Sequence, residues 1–303
     1  MPKFAVIDIG TNAVKFHLAE KNHDGTWSTI LDRSEVTRLG EGLHLTGKIN
    51  DAALERSLNS IKKFVEIARD NEVQSIVAVG TMALRSANNA YDFIKQIAQK
   101  CGINVEIISG EEEARLSALA VTSSLSIPRG DFIIFDIGGG SIEFIFGHDT
   151  SVDKAISLNI GVVRLIEQIL KSDPVTDNEF NRAIETIEAT FNTIDMKTGP
   201  EILIGVGATM TILGAMKFKR DDFTSEIIHG SKLKLADVVA LVELLKSKTI
   251  KDRKEIVGLP TDRADVILPG AMIIMMVMKH LGTNFVTISN RGVRHGLLID
   301  RFG

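Results

Sequence analysis

The stretches VIDIGTNAVKF (residues 6–16) and FDIGGGSIEFIF (residues 135–146) follow one plan. Each is an apolar run, an aspartate, a short turn of glycine or small polar residues, and a second apolar run. Aligning residues 3–20 with 131–148 gives five identities in 18 positions: Phe4/Phe132, Asp8/Asp136, Ile9/Ile137, Gly10/Gly138 and Phe16/Phe144. Two apolar runs joined by a glycine-bearing turn read as a β-hairpin. The spacing between the copies is far too long for a solenoid and is about one domain. The repeat therefore predicts two copies of one domain, each opening with a hairpin. A length of 303 residues agrees, at roughly 150 residues per domain.

Working outward, strands and helices alternate. A third strand is expected near 26–38, and Leu54, Leu58, Ile61, Val65 and Ala68 recur at helical spacing. Strand 75–80, helix 90–100, strand 105–109 and helix 111–124 follow. The second half repeats the order: strands at 131–147 and 152–158, helices near 160–171 and 177–192, strand 201–207 and helix 209–217. Helices near 235–247 and 262–281, strand 284–289 and helix 293–302 complete it. Such alternation implies an α/β fold with mixed sheets flanked by helices. The segment SLSIPRGD (124–131) is the best boundary, giving domains 1–126 and 127–303, with the C-terminal helix 293–303 joining the first.

Composition excludes several classes. A net charge of −4 argues against a nucleic-acid protein, which usually carries a strong basic excess. The longest apolar stretch, VILPGAMIIMMVM (266–278), has 13 residues with a Pro and a Gly inside, short of the about 20 a membrane span needs. Its methionines are expected in a core. Cys101 is the single cysteine, so no intrachain disulfide can form. The N-terminus enters a strand without a charged-then-apolar leader. The expectation is a cytoplasmic protein with no nucleic-acid or membrane partner; a homodimer is left open.

The two corners carry the chemistry. One glycine hairpin alone is an ordinary turn, but two in equivalent places of a duplicated domain suggest a shared ligand in an interdomain cleft. At Gly138, Gly139, Gly140 and Ser141 no bulky side chain keeps a ligand from the backbone. Glycine permits the positive φ with which N–H groups converge on an anion. Asp8 and Asp136 would repel a phosphate, and a bridging Mg²⁺ resolves this because it takes carboxylate and phosphate oxygens together. Glu143 returns toward the second turn, whereas the first copy has Lys15 there. In ISGEEEARL (108–116), Ser109 and Glu112 form a capping-box pattern and Glu111 suits the first helical turn. Glu113 needs no such duty, and a carboxylate there could orient or deprotonate a water.

Eight motifs in order resemble the exopolyphosphatase/guanosine-pentaphosphate phosphohydrolase (Ppx/GppA) family: DIGTNAVKFH, TRLGEGLHLTGKI, VGTMALR, ISGEEEARL, DIGGGSIE, GVGATMT, RADVILPGA and ISNRGVRHG. The resemblance spans nearly the whole chain. It implies two duplicated actin-like (ribonuclease H-like) ATPase-type domains. It implies Glu113 as catalytic base and Asp136, Glu143 and Asp8 as carboxylates for Mg²⁺. Phosphate would meet Thr11, Asn12, Arg85, Gly138, Gly139, Gly140 and Ser141, and the loop GVGAT would meet a nucleotide or polyphosphate tail through Gly207 and Thr209. Three positions depart from the family pattern: Ala13 for serine, Ala208 for glycine and His295 for an acidic residue. The length resembles that of the short two-domain members.

The implied activity is Mg²⁺-dependent release of terminal phosphate from inorganic polyphosphate or guanosine pentaphosphate. A sugar or acetate kinase of the same superfamily, and a non-enzymatic sensor of alarmone or polyphosphate, are the alternatives. The dipeptides His23-Asp24 and His148-Asp149 read as turns, since a metal site needs several converging ligands. The basic runs 217–220 and 246–254 read as solvated helix ends and loops.

Overall fold

The computed structural model describes residues 1–149, 151–196, 199–220 and 227–303. The chain divides into two compact units, residues 1–120 with 293–303, and residues 121–292.

The first unit is built on a five-stranded sheet. Its strands are β1 (Lys3–Ile9), β2 (Ala13–Lys21), β3 (Trp27–Val36), β4 (Ser75–Gly80) and β5 (Val105–Ile107), in the order β3-β2-β1-β4-β5. β1, β2 and β3 pair antiparallel; β4 and β5 run parallel to β1. Side chains alternate across a strand, and in β1 this has a direct consequence. Ala5, Ile7 and Ile9 enter one hydrophobic cluster, while Phe4 and Val6 enter another on the opposite face. A sheet buried on both faces explains the near-continuous apolar run. It also puts Asp8 in phase with Phe4 and Val6.

The helices of this unit are α1 (Leu43–Thr46), α2 (Asp51–Asp70), α3 (Met82–Ser86), α4 (Ala90–Cys101) and α5 (Gly110–Thr122), the last running on past residue 120. The Asn50 side chain caps α2 by accepting from the Ala53 amide at 2.8 Å. Its apolar stripe, Ile61, Phe64, Val65 and Ala68, covers the first face, where Phe64 stacks on Phe16 at 4.9 Å.

In the second unit the sheet consists of β6 (Asp131–Ile137), β7 (Ile142–His148), β8 (Ser151–Leu158), β9 (Ile202–Val206), β10 (Lys232–Lys234) and β11 (Phe285–Ser289). Read from one edge, its order is β8-β7-β6-β9-β11-β10. The first five strands repeat the arrangement of the first sheet, with β10 added at the edge. The repeat extends to a single hydrogen bond. The Gly10 amide donates to the Ala13 carbonyl at 3.1 Å, and the Gly138 amide to Ser141 at 2.9 Å.

The helices here are α6 (Val162–Gln168), α7 (Asp177–Phe191), α8 (Ala208–Phe218), α9 (Leu235–Lys246), α10 (Ile250–Arg253) and α11 (Ile267–His280). Met272, Met275, Met276 and Met278 of α11 are buried in the core, as their apolar surroundings in the sequence imply. Among the described residues no helix is long and apolar enough to cross a membrane. The last helix, α12 (Val293–Phe302), returns to the first unit, where Val293, Leu297 and Leu298 pack with Val6, Val79 and Leu116.

Four short elements, α1, α3, α10 and β10, escape the periodicity reading because three to five residues do not complete a pattern. The helix expected over 262–281 divides into a 3₁₀ turn at Thr261–Arg263 and α11.

Candidate active site

The turn between β6 and β7 is organised by the elements behind it. α6 begins at Val162, and its first amides are used by the turn: Val163 donates to the Gly139 carbonyl at 2.8 Å and Val162 to Gly138 at 3.4 Å. The approach is close enough that a Cβ on Gly161 would lie 2.5 Å from the Gly139 carbonyl oxygen. With those carbonyls turned toward α6, the Gly139 and Gly140 amides donate to no backbone carbonyl among the described residues. Backbone donors in such positions suit an anion. One expectation is corrected: none of Gly138, Gly139 and Gly140 has a positive φ. Glycine is needed at this corner for close approach, and the donors are exposed by the capture of the carbonyls.

Asp136 and Glu143 face each other as register partners across β6 and β7. Both are buried, Glu143 almost completely. Glu143 Oε1 accepts from the Ser141 hydroxyl at 2.7 Å and from the Ser157 hydroxyl at 2.8 Å. Glycines crowd Asp136: a Cβ on Gly207 would lie 3.1 Å from Oδ1, and one on Gly292 3.5 Å from Oδ2. Gly207 precedes α8 with φ 102°, a conformation that strongly favours glycine. A side chain at either glycine would therefore crowd this carboxylate, and α8 begins directly after Gly207. Thr209, in the first turn of α8, packs against Gly270 of α11, where a Cβ would reach within 2.6 Å of its Oγ1.

The corresponding corner of the first unit has the same plan and a different charge. Its carbonyls are likewise engaged from behind: Thr11 accepts from the Gly40 amide at 2.8 Å, and Asn12 from Thr37 at 3.1 Å and Arg38 at 2.9 Å. Thr11 and Asn12 are buried, and the Asn12 side-chain oxygen has no hydrogen-bond partner among the described residues. Asp8 Oδ2 pairs with Lys15 Nζ at 3.1 Å across β1 and β2, while Oδ1 is buried without a partner among the described residues. Lys15 stands where Glu143 stands in the second copy, so the first corner contains its own counter-cation.

α5 carries the three consecutive glutamates, and each goes a different way. The Ser109 hydroxyl accepts from the Glu112 amide at 3.1 Å, which is half of the expected capping box. The other half is absent, because both Glu112 oxygens bind Arg115 at 2.8 Å. Glu111 lies in the first turn, where its charge suits the helix dipole. Glu113 turns inward, 13% exposed, with Oε2 on Arg85 Nη1 at 2.9 Å. The same nitrogen donates to the Ile108 carbonyl at 2.8 Å. Arg85 thus fixes Glu113 with one nitrogen and leaves Nε and Nη2 without a partner among the described residues.

Among the described residues no three His, Cys, Asp or Glu side chains gather as a metal cage. Mg²⁺ does not require one, since it commonly binds through one or two carboxylates with water and substrate phosphate completing the shell. In the second unit the buried Asp136/Glu143 pair has the oxygen chemistry for such an ion; in the first unit, taken by itself, so does Asp8 Oδ1, which has no partner among the described residues. Residue-by-residue reading missed the ties that position these groups: Ser157, Gly161 and the Lys15–Asp8 pair. Of these, the Lys15–Asp8 pair alone had a simple sequence signal, since hairpin register through a turn like that of the second copy sets position 15 opposite position 8.

A family model described as the Ppx/GppA phosphatase family matches residues 18–303. Exopolyphosphatase 2 of Mycobacterium tuberculosis is 28% identical, with 100% of this chain and 99% of the relative covered. The guanosine-5'-triphosphate,3'-diphosphate pyrophosphatase of Vibrio atlanticus is 32% identical over 99% of this chain and 60% of its own length. The chain also spans 46% of a bifunctional 3-dehydroquinate synthase/phosphatase of Fusobacterium nucleatum, at 31% identity over 98% of this chain. Among solved structures, the Aquifex aeolicus Ppx/GppA protein superposes with a TM-score of 0.83 at 31% identity, covering 99% of this chain and 97% of the other.

Proposed function

The chain belongs to the Ppx/GppA phosphatase family, and on that premise we propose that it hydrolyses the terminal phosphoanhydride bond of inorganic polyphosphate, of guanosine pentaphosphate, or of both. The observation that carries this reading is the hydrogen-bond arrangement of the Gly138–Ser141 turn. Its carbonyls are engaged by α6 and its Gly139 and Gly140 amides remain as donors. A terminal phosphate has the charge and the acceptor oxygens to take them. The names of the relatives, an exopolyphosphatase and a guanosine-pentaphosphate pyrophosphatase, support both substrate classes.

Glu113 is the proposed general base. Its inward-turned carboxylate, which Arg85 Nη1 contacts at Oε2 and helps to orient, supports the reading. The free side of the Arg85 fork is suited to a phosphate oxygen. Thr11 and Asn12, Gly207 and Thr209 are the further proposed contacts, the last two at the start of α8. Mg²⁺ is the proposed cofactor, held by Asp136 and Glu143 with Asp8 contributing. When bound, it neutralises charge on the transferring phosphoryl group. Cytoplasmic localisation is part of the same proposal.

Phosphate release from long-chain polyphosphate, tripolyphosphate, guanosine pentaphosphate, and ATP with a panel of sugars, each with and without Mg²⁺, tests the reading. Release from a polyphosphate or from guanosine pentaphosphate in the presence of Mg²⁺ is expected. Sugar-dependent consumption of ATP without hydrolysis of the other substrates would contradict it.

A further inference from the structure

Glu143 Oε1 is held by two hydroxyls at once, Ser141 from the glycine turn at 2.7 Å and Ser157 from β8 at 2.8 Å. Ser157 is the register partner of Glu143 across β7 and β8, so three adjacent strands align Asp136, Glu143 and Ser157 in one row. A serine hydroxyl has one hydrogen to donate. While Ser141 gives its hydrogen to Glu143, only lone pairs remain to face a phosphate, and an ionised phosphate oxygen is itself an acceptor. As arranged, the turn therefore withholds its hydroxyl hydrogen from an anion. Removing that hydrogen from Glu143 would strip a buried carboxylate of a donor, which is costly unless a second donor remains. Ser157 is that second donor, on the same oxygen.

We propose that Ser157 is a positioning residue for phosphate capture. It keeps the Glu143 carboxylate in place while the Ser141 hydroxyl swings its hydrogen from Glu143 Oε1 to an oxygen of the arriving phosphate group. One O–H···O contact is exchanged for another, and no proton changes owner. This deepens the phosphate role given to the turn above and rests on it. It also explains why two serines converge on one oxygen: the first serves the ligand and the second serves the carboxylate. Ser157 is half-buried on β8, outside the turn, and does not need to touch the substrate.

The test is a double-mutant cycle read by equilibrium binding. Calorimetry with imidodiphosphate, a non-hydrolysable pyrophosphate analogue, in Mg²⁺ buffer compares the unaltered protein with Ser157→Ala, Ser141→Ala and the double variant. Ser157→Ala is expected to weaken binding about tenfold, the worth of one hydrogen bond to a charged group. Ser141→Ala should weaken it by a similar factor. In the Ser141→Ala background, adding Ser157→Ala should change binding less than about twofold, because no hydrogen is left to release. Ser157→Thr keeps a hydroxyl and should bind as the unaltered protein does. Ser157→Cys, a weak donor of similar shape, should reproduce the loss and serves if the alanine variant folds poorly.

Equal losses in both backgrounds, no loss with Ser141 in place, or no imidodiphosphate binding by the unaltered protein would each overturn the proposal. The hydrolase reading fails separately. Imidodiphosphate binding with the expected cycle, but no phosphate release from any substrate, would leave this inference standing and remove that one.

Discussion

At the scale of single residues, charge decides what each corner can do. Lys15 and Glu143 occupy equivalent places in the two copies, one opposite Asp8 and the other opposite Asp136. Lys15→Met should therefore leave a buried, uncompensated carboxylate. A cost of about 1–3 kcal/mol is expected, read as a lower midpoint in urea unfolding at neutral pH. An unchanged midpoint would show that the pair at 3.1 Å contributes nothing to the fold. Arg85 has the opposite profile. Arg85→Lys keeps the charge but replaces a planar fork with an ammonium whose donors all sit on one nitrogen, which cannot span Ile108, Glu113 and a phosphate as the fork can. We expect kcat/KM to fall at least about tenfold, with the unfolding midpoint nearly unchanged. Equal loss of both would make Arg85 a structural residue. Much at this scale was legible, because Asp8, Asp136 and Glu143 stand out as carboxylates beside glycine turns. Ser157 was not. A bulge in β8 at Asp153, opposite the step from Phe146 to Gly147 of β7, shifts the β7–β8 register by one residue, so plain counting from the turn sets Ile156, not Ser157, opposite Glu143.

At the scale of elements, α12 is tied to the first sheet by a part-buried polar cluster. Asp32 on β3 accepts from Arg294 Nε at 2.7 Å and Nη2 at 3.0 Å, and shares a hydrogen bond with His295 Nε2 at 3.1 Å. The His295 ring lies 4.5 Å from that of His17 on β2. Burial lowers the pKa of His295 well below its usual value, and the Arg294 charge pushes in the same direction. Burial by itself would raise the Asp32 pKa. Arg294 and His295 outweigh it and hold the carboxyl well below the usual range. For His295 the unfolded chain takes up a proton near pH 6.5 and the folded chain does not, so stability falls as pH drops below that point. The Asp32 contribution is intact above about pH 4 and is lost only below it. Unfolding midpoints measured at pH 7, 6 and 5 should therefore decline, by at most about 1.4 kcal/mol per pH unit from this histidine. His295→Gln should remove that part of the decline; an identical slope in the variant would contradict the assignment. The same helix also seats α5, since a Cβ on Gly296 would collide with the Leu116 carbonyl. Gly296→Ala should therefore displace the helix that carries Glu113 and lower activity along with stability. The cluster was hidden in the sequence because its members lie on three elements, and His295 registered only as a departure from a family pattern.

At the scale of the whole molecule, duplication made the fold readable before any contact was known. The two hairpins share residues, strand order and the amide-to-carbonyl bond that closes each turn. Long amphipathic helices such as α2 and wholly apolar ones such as α11 followed from their patterns, whereas elements of three to five residues did not. The copies then diverged in charge, one corner neutralised by Lys15 and the other left with two carboxylates. The base candidate, Glu113, lies in neither hairpin. The measurement that tests this account most directly is the rate of phosphate release from tripolyphosphate and guanosine pentaphosphate by the unaltered protein, Glu113→Gln and Glu112→Gln, side by side in saturating Mg²⁺. Glu113→Gln should lower kcat by about 10²–10⁴-fold, the usual worth of a positioned general base. Glu112→Gln loses only its Arg115 partner and should stay within about threefold of the unaltered rate. A benign Glu113→Gln beside a disabled Glu112→Gln would show that the wrong carboxylate carries the proposed chemistry.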